Sequence, residues 1–175
     1  MSSMRRRVIW YSVVLLAVSM LVIGHGWSVL AQPATLIGSK APEVRTVGVK
    51  NESIQVPARG SVTVVVFWNS KYRLSLDALA GVQRVWEAYR ERGVECVGFN
   101  DMEEADRAVR QLAEQMNLGF PLVSGRAASS AAVAYKLRGV PAVFVIDRSG
   151  VIIHVREGWD RNTEPDLKDR ISAIL

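Results

Sequence analysis

The sequence predicts an α/β fold, a central mixed β-sheet flanked by helices. Two observations predict it. Short runs rich in valine, isoleucine and phenylalanine alternate along the chain with stretches whose apolar residues recur at helical spacing. Near the C-terminus two such runs lie on either side of a tight turn, so a hairpin closes the alternating series and makes the sheet mixed.

The elements follow in order. Val62-Thr63-Val64-Val65-Val66-Phe67 is a β-branched run and reads as a buried strand. From Ser75 to Arg92, apolar residues at Leu76, Leu79, Val82, Val85, Trp86 and Tyr89 keep one face of a helix apolar. Asp77 is expected in its first turn, against the positive end of the dipole, and Gly93 at its end. Val94 to Phe99 is the next strand, and Met102 to Asn117 a second amphipathic helix built on Ala105, Val109, Leu112, Ala113 and Met116. A short strand at Phe120 to Val123 and an alanine-rich helix from Ala127 to Leu137 come next. Ala142 to Asp147 and Val151 to Val155 form the hairpin around Arg148-Ser149-Gly150. The last helix starts near Thr163-Glu164-Pro165, where proline is tolerated in the first turn, and buries Leu167, Ile171 and Ile174.

The first 31 residues are of another kind. Arg5, Arg6 and Arg7 precede an apolar run from Val8 to Ile23 with no acid, the pattern of an export leader. Two fates stay open. Val29-Leu30-Ala31 places small residues for cleavage before Gln32. Continuing the run to Leu30 reaches the ~20 residues of a membrane-spanning helix, with the arginines held inside. Residues 1–31 are therefore expected to be a signal peptide or membrane anchor (residues 8–30 in the bilayer if retained), 32–37 a linker, and 38–175 one folded domain outside the cytoplasm, periplasmic in a bacterium.

Charge excludes one class of partner. Of the 22 Lys and Arg, three lie in the leader, which leaves 19 against 17 acids and a balance of only +2. No Lys/Arg stripe interleaved with aromatics is present, so nucleic-acid binding is not expected. The single cysteine, Cys96, sits in the strand Val94-Glu95-Cys96-Val97-Gly98-Phe99. A lone cysteine in an exported protein is either a reactive thiol or a small buried hydrophobe, and no cation or helix N-terminus adjoins it in sequence to lower its pKa. His154, a lone histidine on the terminal hairpin, reads as a surface or packed side chain rather than as a general base.

The valine-rich strand runs into Phe67-Trp68-Asn69-Ser70-Lys71-Tyr72-Arg73-Leu74-Ser75 and at once into a helix. This corner resembles the active site of thioredoxin-like proteins, Phe-Trp-Ala-Ser-Trp-Cys-x-x-Cys. Other stretches agree. Gly38-Ser39-Lys40-Ala41-Pro42 is similar to the opening segment of redoxin-type domains, Gly93 to Asn100 to the strand after the active-site helix, and Asp101 to Met116 to the insertion of the membrane-associated TlpA-like and ResA-like branch. Most specific is Tyr135 to Gly150, which resembles Tyr-x-Val-x-Gly-x-Pro-x-x-Phe-x-Ile-Asp-x-x-Gly. The resemblance covers residues 36–175 and implies a thioredoxin-like fold, with Pro141 as the cis-proline beside the corner and Val140 offering backbone groups to an extended peptide.

It also implies thiol-disulfide oxidoreductase ancestry, and here the sequence departs. Tyr72 and Ser75 stand at the two cysteine positions, and neither a phenol nor an alcohol forms a disulfide. A peroxidatic thiolate is missing from the loop as well, and so are the soft ligands a copper site needs; no metal or other cofactor is expected. Asp101, Glu103 and Glu104 read as solvated first-turn acids of the second helix.

What remains is a groove around Trp68, Tyr72, Val140 and Pro141, with Lys71, Arg73 and Ser75 beside it. The expected function is non-covalent binding of a protein or extended peptide by a redox-inactive domain, as an accessory to thiol-redox or cytochrome c maturation pathways. The alternative is thiol-disulfide or redoxin-type antioxidant chemistry using Cys96 or a partner's cysteines.

Overall fold

The computed structural model describes residues 36–175. The leader and most of the linker lie outside the described residues. Among those described, no helix is long and apolar enough to cross a membrane.

The strands are β1 (Val44–Val47), β2 (Ser53–Val56), β3 (Val62–Trp68), β4 (Val94–Asn100), β5 (Leu122–Val123), β6 (Ala142–Ile146) and β7 (Ile152–Glu157). The helices are α1 (Arg73–Tyr89), α2 (Asp106–Gln115), α3 (Gly125–Ala134) and α4 (Thr163–Ser172). Five strands form one sheet in the order β5-β4-β3-β6-β7. β3 runs parallel to β4 and antiparallel to β6, and β6 and β7 form the expected hairpin.

The all-apolar run of β3 is explained by its central place, because both faces of that strand are covered. Val62, Val64, Val66 and Trp68 face one core with Leu79, Val82 and Val85 of α1, Val109 of α2 and Ile171 of α4. Val65 and Phe67 face a second core with Ala128 and Ala131 of α3 and Ile54 and Val56 of β2. There Phe67, Phe99, Tyr135 and Phe144 pack ring on ring with centroids 5.1–5.7 Å apart, and the Tyr135 hydroxyl donates to the Pro42 carbonyl at 3.2 Å. Such aromatic pairs add roughly 0.5–1.5 kcal/mol each beyond the area they bury.

Several boundaries differ from the sequence reading. The β1–β2 ribbon was not foreseen; its strands are four residues each, too short for their alternation to stand out, and Asn51 takes a left-handed φ of 63° in the turn between them. α1 begins at Arg73, so Asp77 lies beyond the first turn and pairs with Arg73 at 3.3 Å instead of facing the helix dipole. Gly93 does end that helical stretch, after a 3₁₀ turn, with a φ of 85° that disfavours any other residue. α2 begins at Asp106, four residues later than the sequence suggests.

Candidate functional site at the end of strand β3

β3 ends at Trp68, and the chain turns through Asn69, Ser70 and Lys71 into α1. The Asn69 side-chain oxygen accepts the Lys71 amide at 2.8 Å and so tightens the turn. Tyr72 is the N-cap residue: its backbone is extended (φ −107°, ψ 121°) and its carbonyl accepts the amides of Ser75 and Leu76 at 3.0 and 3.3 Å. Its side chain makes no capping hydrogen bond. The tyrosine is 57% exposed.

β6 brings the proline loop to the same place. Ala142 pairs with Phe67, so Pro141 and Val140 come next to the end of β3. The Val140–Pro141 peptide is cis, and the Pro141 carbonyl accepts the Gly158 amide at 2.8 Å. Pro141 is buried and Val140 half-buried.

Of the residues expected to line the groove, Lys71, Tyr72 and Arg73 are exposed. Three others, Trp68, Ser75 and Pro141, are not on the surface. Trp68 is fully buried, packed over Gly98, where a Cβ would approach its indole nitrogen to 3.2 Å. Ser75 is fully buried too, because the first turn of α1 directs it inward. Trp68 is a core residue, since strand alternation sends it to the α1 face along with Val64 and Val66. The Trp68 indole nitrogen and the Ser75 hydroxyl are buried without a hydrogen-bond partner.

The acids after β4 correct another expectation. They are not first-turn acids of α2, which starts beyond them; Asp101 and Glu104 lie against the corner. The register explains this, because Trp68 pairs with Asn100 across the parallel strands and the Asp101 amide donates to the Trp68 carbonyl at 2.9 Å. Glu104 accepts the Ser70 hydroxyl with one carboxylate oxygen and the Asn100 amide, at 3.1 Å, with the other. Asn100, fully buried, accepts the Met102 amide at 3.0 Å. Burial, together with the nearby charge of Glu104, raises the Asp101 carboxyl above its usual range. Sequence reasoning gave no role to Asn69, Ser70 and Asn100, and it read Glu104 as a solvated acid. The available signal was that two adjacent apolar strands each run out on an asparagine.

Around the corner, apolar surface collects. Tyr72, Leu74 and Met102 are three of the six large exposed hydrophobic residues among those described. A cleft of about 440 Å³ lies between Leu74, Arg84 and Trp159 on one side, and one of about 390 Å³ between Asp101, Val133 and Leu137 on the other. Chemically the corner offers hydrogen-bond donors and acceptors, aromatic surface and two cations. It offers no thiol: Cys96 is buried in mid-strand, and burial pushes its pKa well up. His154 is buried as well, on β7. Among the described residues, no group of three or more His, Cys, Asp or Glu could hold a metal ion.

A family model described as the AhpC/TSA family matches residues 37–155. The chain belongs to the AhpC/TSA family. Its single cysteine fits a lost Cys-x-x-Cys motif. The thioredoxin-like protein YneN of Bacillus subtilis (strain 168) is 23% identical over 134 residues, 75% of this chain and 77% of that one. Among solved structures, a candidate thiol:disulfide interchange protein DsbE from Chlorobium tepidum superposes with a TM-score of 0.71 at 22% identity, over 79% of this chain and 96% of that one. StoA from Bacillus subtilis gives 0.63 at 22% identity, over 74% and 96%. At these identities the structures establish the thioredoxin-like fold of this redoxin.

Proposed function

We propose that this redoxin is a redox-inactive domain working outside the cytoplasm, where it binds an extended polypeptide non-covalently at the Tyr72–Pro141 corner. The observation that carries the reading is the exchange of chemistry at one position. Where the fold carries its nucleophile, this chain presents a half-exposed tyrosine at a helix N-terminus, with Leu74 exposed two residues on at the edge of an open cleft. Exposed aromatic and aliphatic side chains gathered at one end of a sheet are what binding surfaces are made of. Val140 adds backbone groups beside the cis peptide, Lys71 and Arg73 add positive charge, and Trp68 and Ser75 support the corner from beneath. The leader supports placement on the outer side of a membrane, the periplasm in a bacterium.

Two measurements on the full-length protein test this. In a thiol-disulfide exchange assay run beside Cys96→Ala, neither protein turns over, and Cys96 resists alkylation until the fold is opened. A fluorescent extended-peptide library then yields ligands whose affinity falls at least tenfold in Tyr72→Ala, the loss expected of a central aromatic contact. Turnover that disappears in Cys96→Ala would sink the reading and favour chemistry at that thiol. Peptide binding that ignores Tyr72→Ala would move the site elsewhere.

A further inference from the structure

A second cavity lies at the opposite end of β3 and β4, and it shares no residue with the corner. It encloses about 430 Å³ between β2, the loop from Ala58 to Ser61 and the first residues of β3 and β4. Sites for small molecules run from about 300 to 1,000 Å³. Strand alternation determines its floor. Thr63 and Glu95 pair across β3 and β4, and Val97, two residues on, points to the same face. Thr63 and Val97 are buried, as are Ile54 and Val56 of the overlying ribbon. Cys96 borders the cavity, but its side chain belongs to the core on the other face of the sheet, with Val64.

Two side chains of opposite charge, Arg59 and Glu95, stand on its wall, and both are exposed. They do not neutralise each other: among the described residues neither enters an ion pair. Elsewhere on the domain neighbouring opposite charges do close up, as Arg84 with Glu164 and Arg156 with Asp160 at 2.6 Å. Ser53, Gln55 and Ser61 also border the cavity. A ligand with only a negative charge would meet Glu95, and one with only a positive charge would meet Arg59. A molecule carrying both satisfies both, with the guanidinium fork matching a carboxylate in two parallel hydrogen bonds.

We propose that this cavity binds a small zwitterion, an α-amino acid with an apolar side chain, its carboxylate on Arg59, its ammonium group on Glu95 and its side chain against the half-buried Ala58 and Pro121. This site stands apart from the peptide corner, and neither reading needs the other.

The test titrates the isotope-labelled full-length protein with L-leucine, its methyl ester and N-acetyl-leucine, following backbone amides by NMR. L-leucine shifts the amides of Gln55, Arg59, Thr63, Glu95 and Val97 saturably at millimolar concentration. Each capped probe, having lost one charge-assisted pairing, binds about tenfold more weakly or worse. Arg59→Gln and Glu95→Gln, both exposed positions whose replacement leaves the fold intact, reduce L-leucine binding to the same degree. Absence of a saturable shift at these amides, equal binding of the capped probes, or indifference to both variants would each overturn the proposal. Shifts confined to Tyr72 and its neighbours would overturn it too, and would add L-leucine to the ligands of the corner.

Discussion

Glu104 accepts a hydrogen bond from Ser70, 34 positions earlier in the chain, and through that contact the segment after β4 holds the loop after β3. The same carboxylate accepts the Asn100 amide, so one side chain joins the ends of two parallel strands to the turn that presents Tyr72. A surface acid of a helix first turn would contribute only a few tenths of a kcal/mol. A half-buried carboxylate with two accepted hydrogen bonds contributes more.

Glu104→Ala leaves both donors unpaired and is expected to lower unfolding free energy by about 1–3 kcal/mol, read from urea denaturation. Glu104→Gln, whose amide oxygen still accepts the Ser70 hydroxyl, loses less. Peptide binding at the corner falls in the same order, because the loop that carries Tyr72 is held less firmly.

Gly81 of α1 lies under Trp159, and an added Cβ would come within 2.0 Å of the indole ring. Alanine in a helix interior gains about 1 kcal/mol over glycine, whereas overpacking costs about 1–3 kcal/mol. Gly81→Ala should therefore lower Tm despite its better helix propensity. In a Trp159→Leu background the sign reverses, and the double-mutant cycle measures the clash.

His154 sets a pH dependence. Burial lowers its pKa, Arg170 and Arg156 lower it further, and Asp166, 3.3 Å away, opposes them without prevailing. In the unfolded chain the imidazole protonates near ~6.5. A group whose folded pKa is depressed gives stability that is present above the unfolded value and lost as pH falls toward the folded one, because the unfolded chain takes up the proton first. Stability should decline just below about pH 6.5, before the carboxylates titrate. Thermal melts of His154→Leu should lack that decline.

Tyr72 and Ser75 together offer a gain-of-function test. One sits exposed at a helix N-terminus and the other fully buried a turn later. A thiol at the first position would have its pKa lowered by the helix dipole. The double variant Tyr72→Cys/Ser75→Cys is expected to form a disulfide between these positions and to turn over in a thiol-disulfide exchange assay, while either single variant does not. Inactivity of the double variant would mean that the corner has lost the geometry as well as the thiols.

Most of the five-stranded sheet could be read in advance because its signals are local. The valine run of β3, the spacing of Leu79, Val82 and Val85 in α1 and the Arg148–Gly150 turn depend on near neighbours alone. The β1–β2 ribbon escaped because four-residue strands carry little periodicity, and α2 was drawn too long because Met102 and Ala105 extend its apolar pattern into a segment held by the corner instead. At the site, the substitution of Tyr72 and Ser75 for cysteines was plain from residue identity, but the burial of Trp68 and Ser75 was not.

The sequence by itself determined the alternation of strands and helices, the redoxin kinship and the loss of the dithiol, since each depends on residue type and short-range spacing. Tertiary structure alone decided which polar groups meet. Parallel pairing of β3 with β4 puts Asn100, Asp101 and Glu104 beside Trp68 and Ser70, and at the other end of those strands it leaves Arg59 and Glu95 facing one cavity. Those partners lie more than thirty residues apart in the chain, and only the register of the sheet, set by the burial of alternating side chains on its two faces, brings them together.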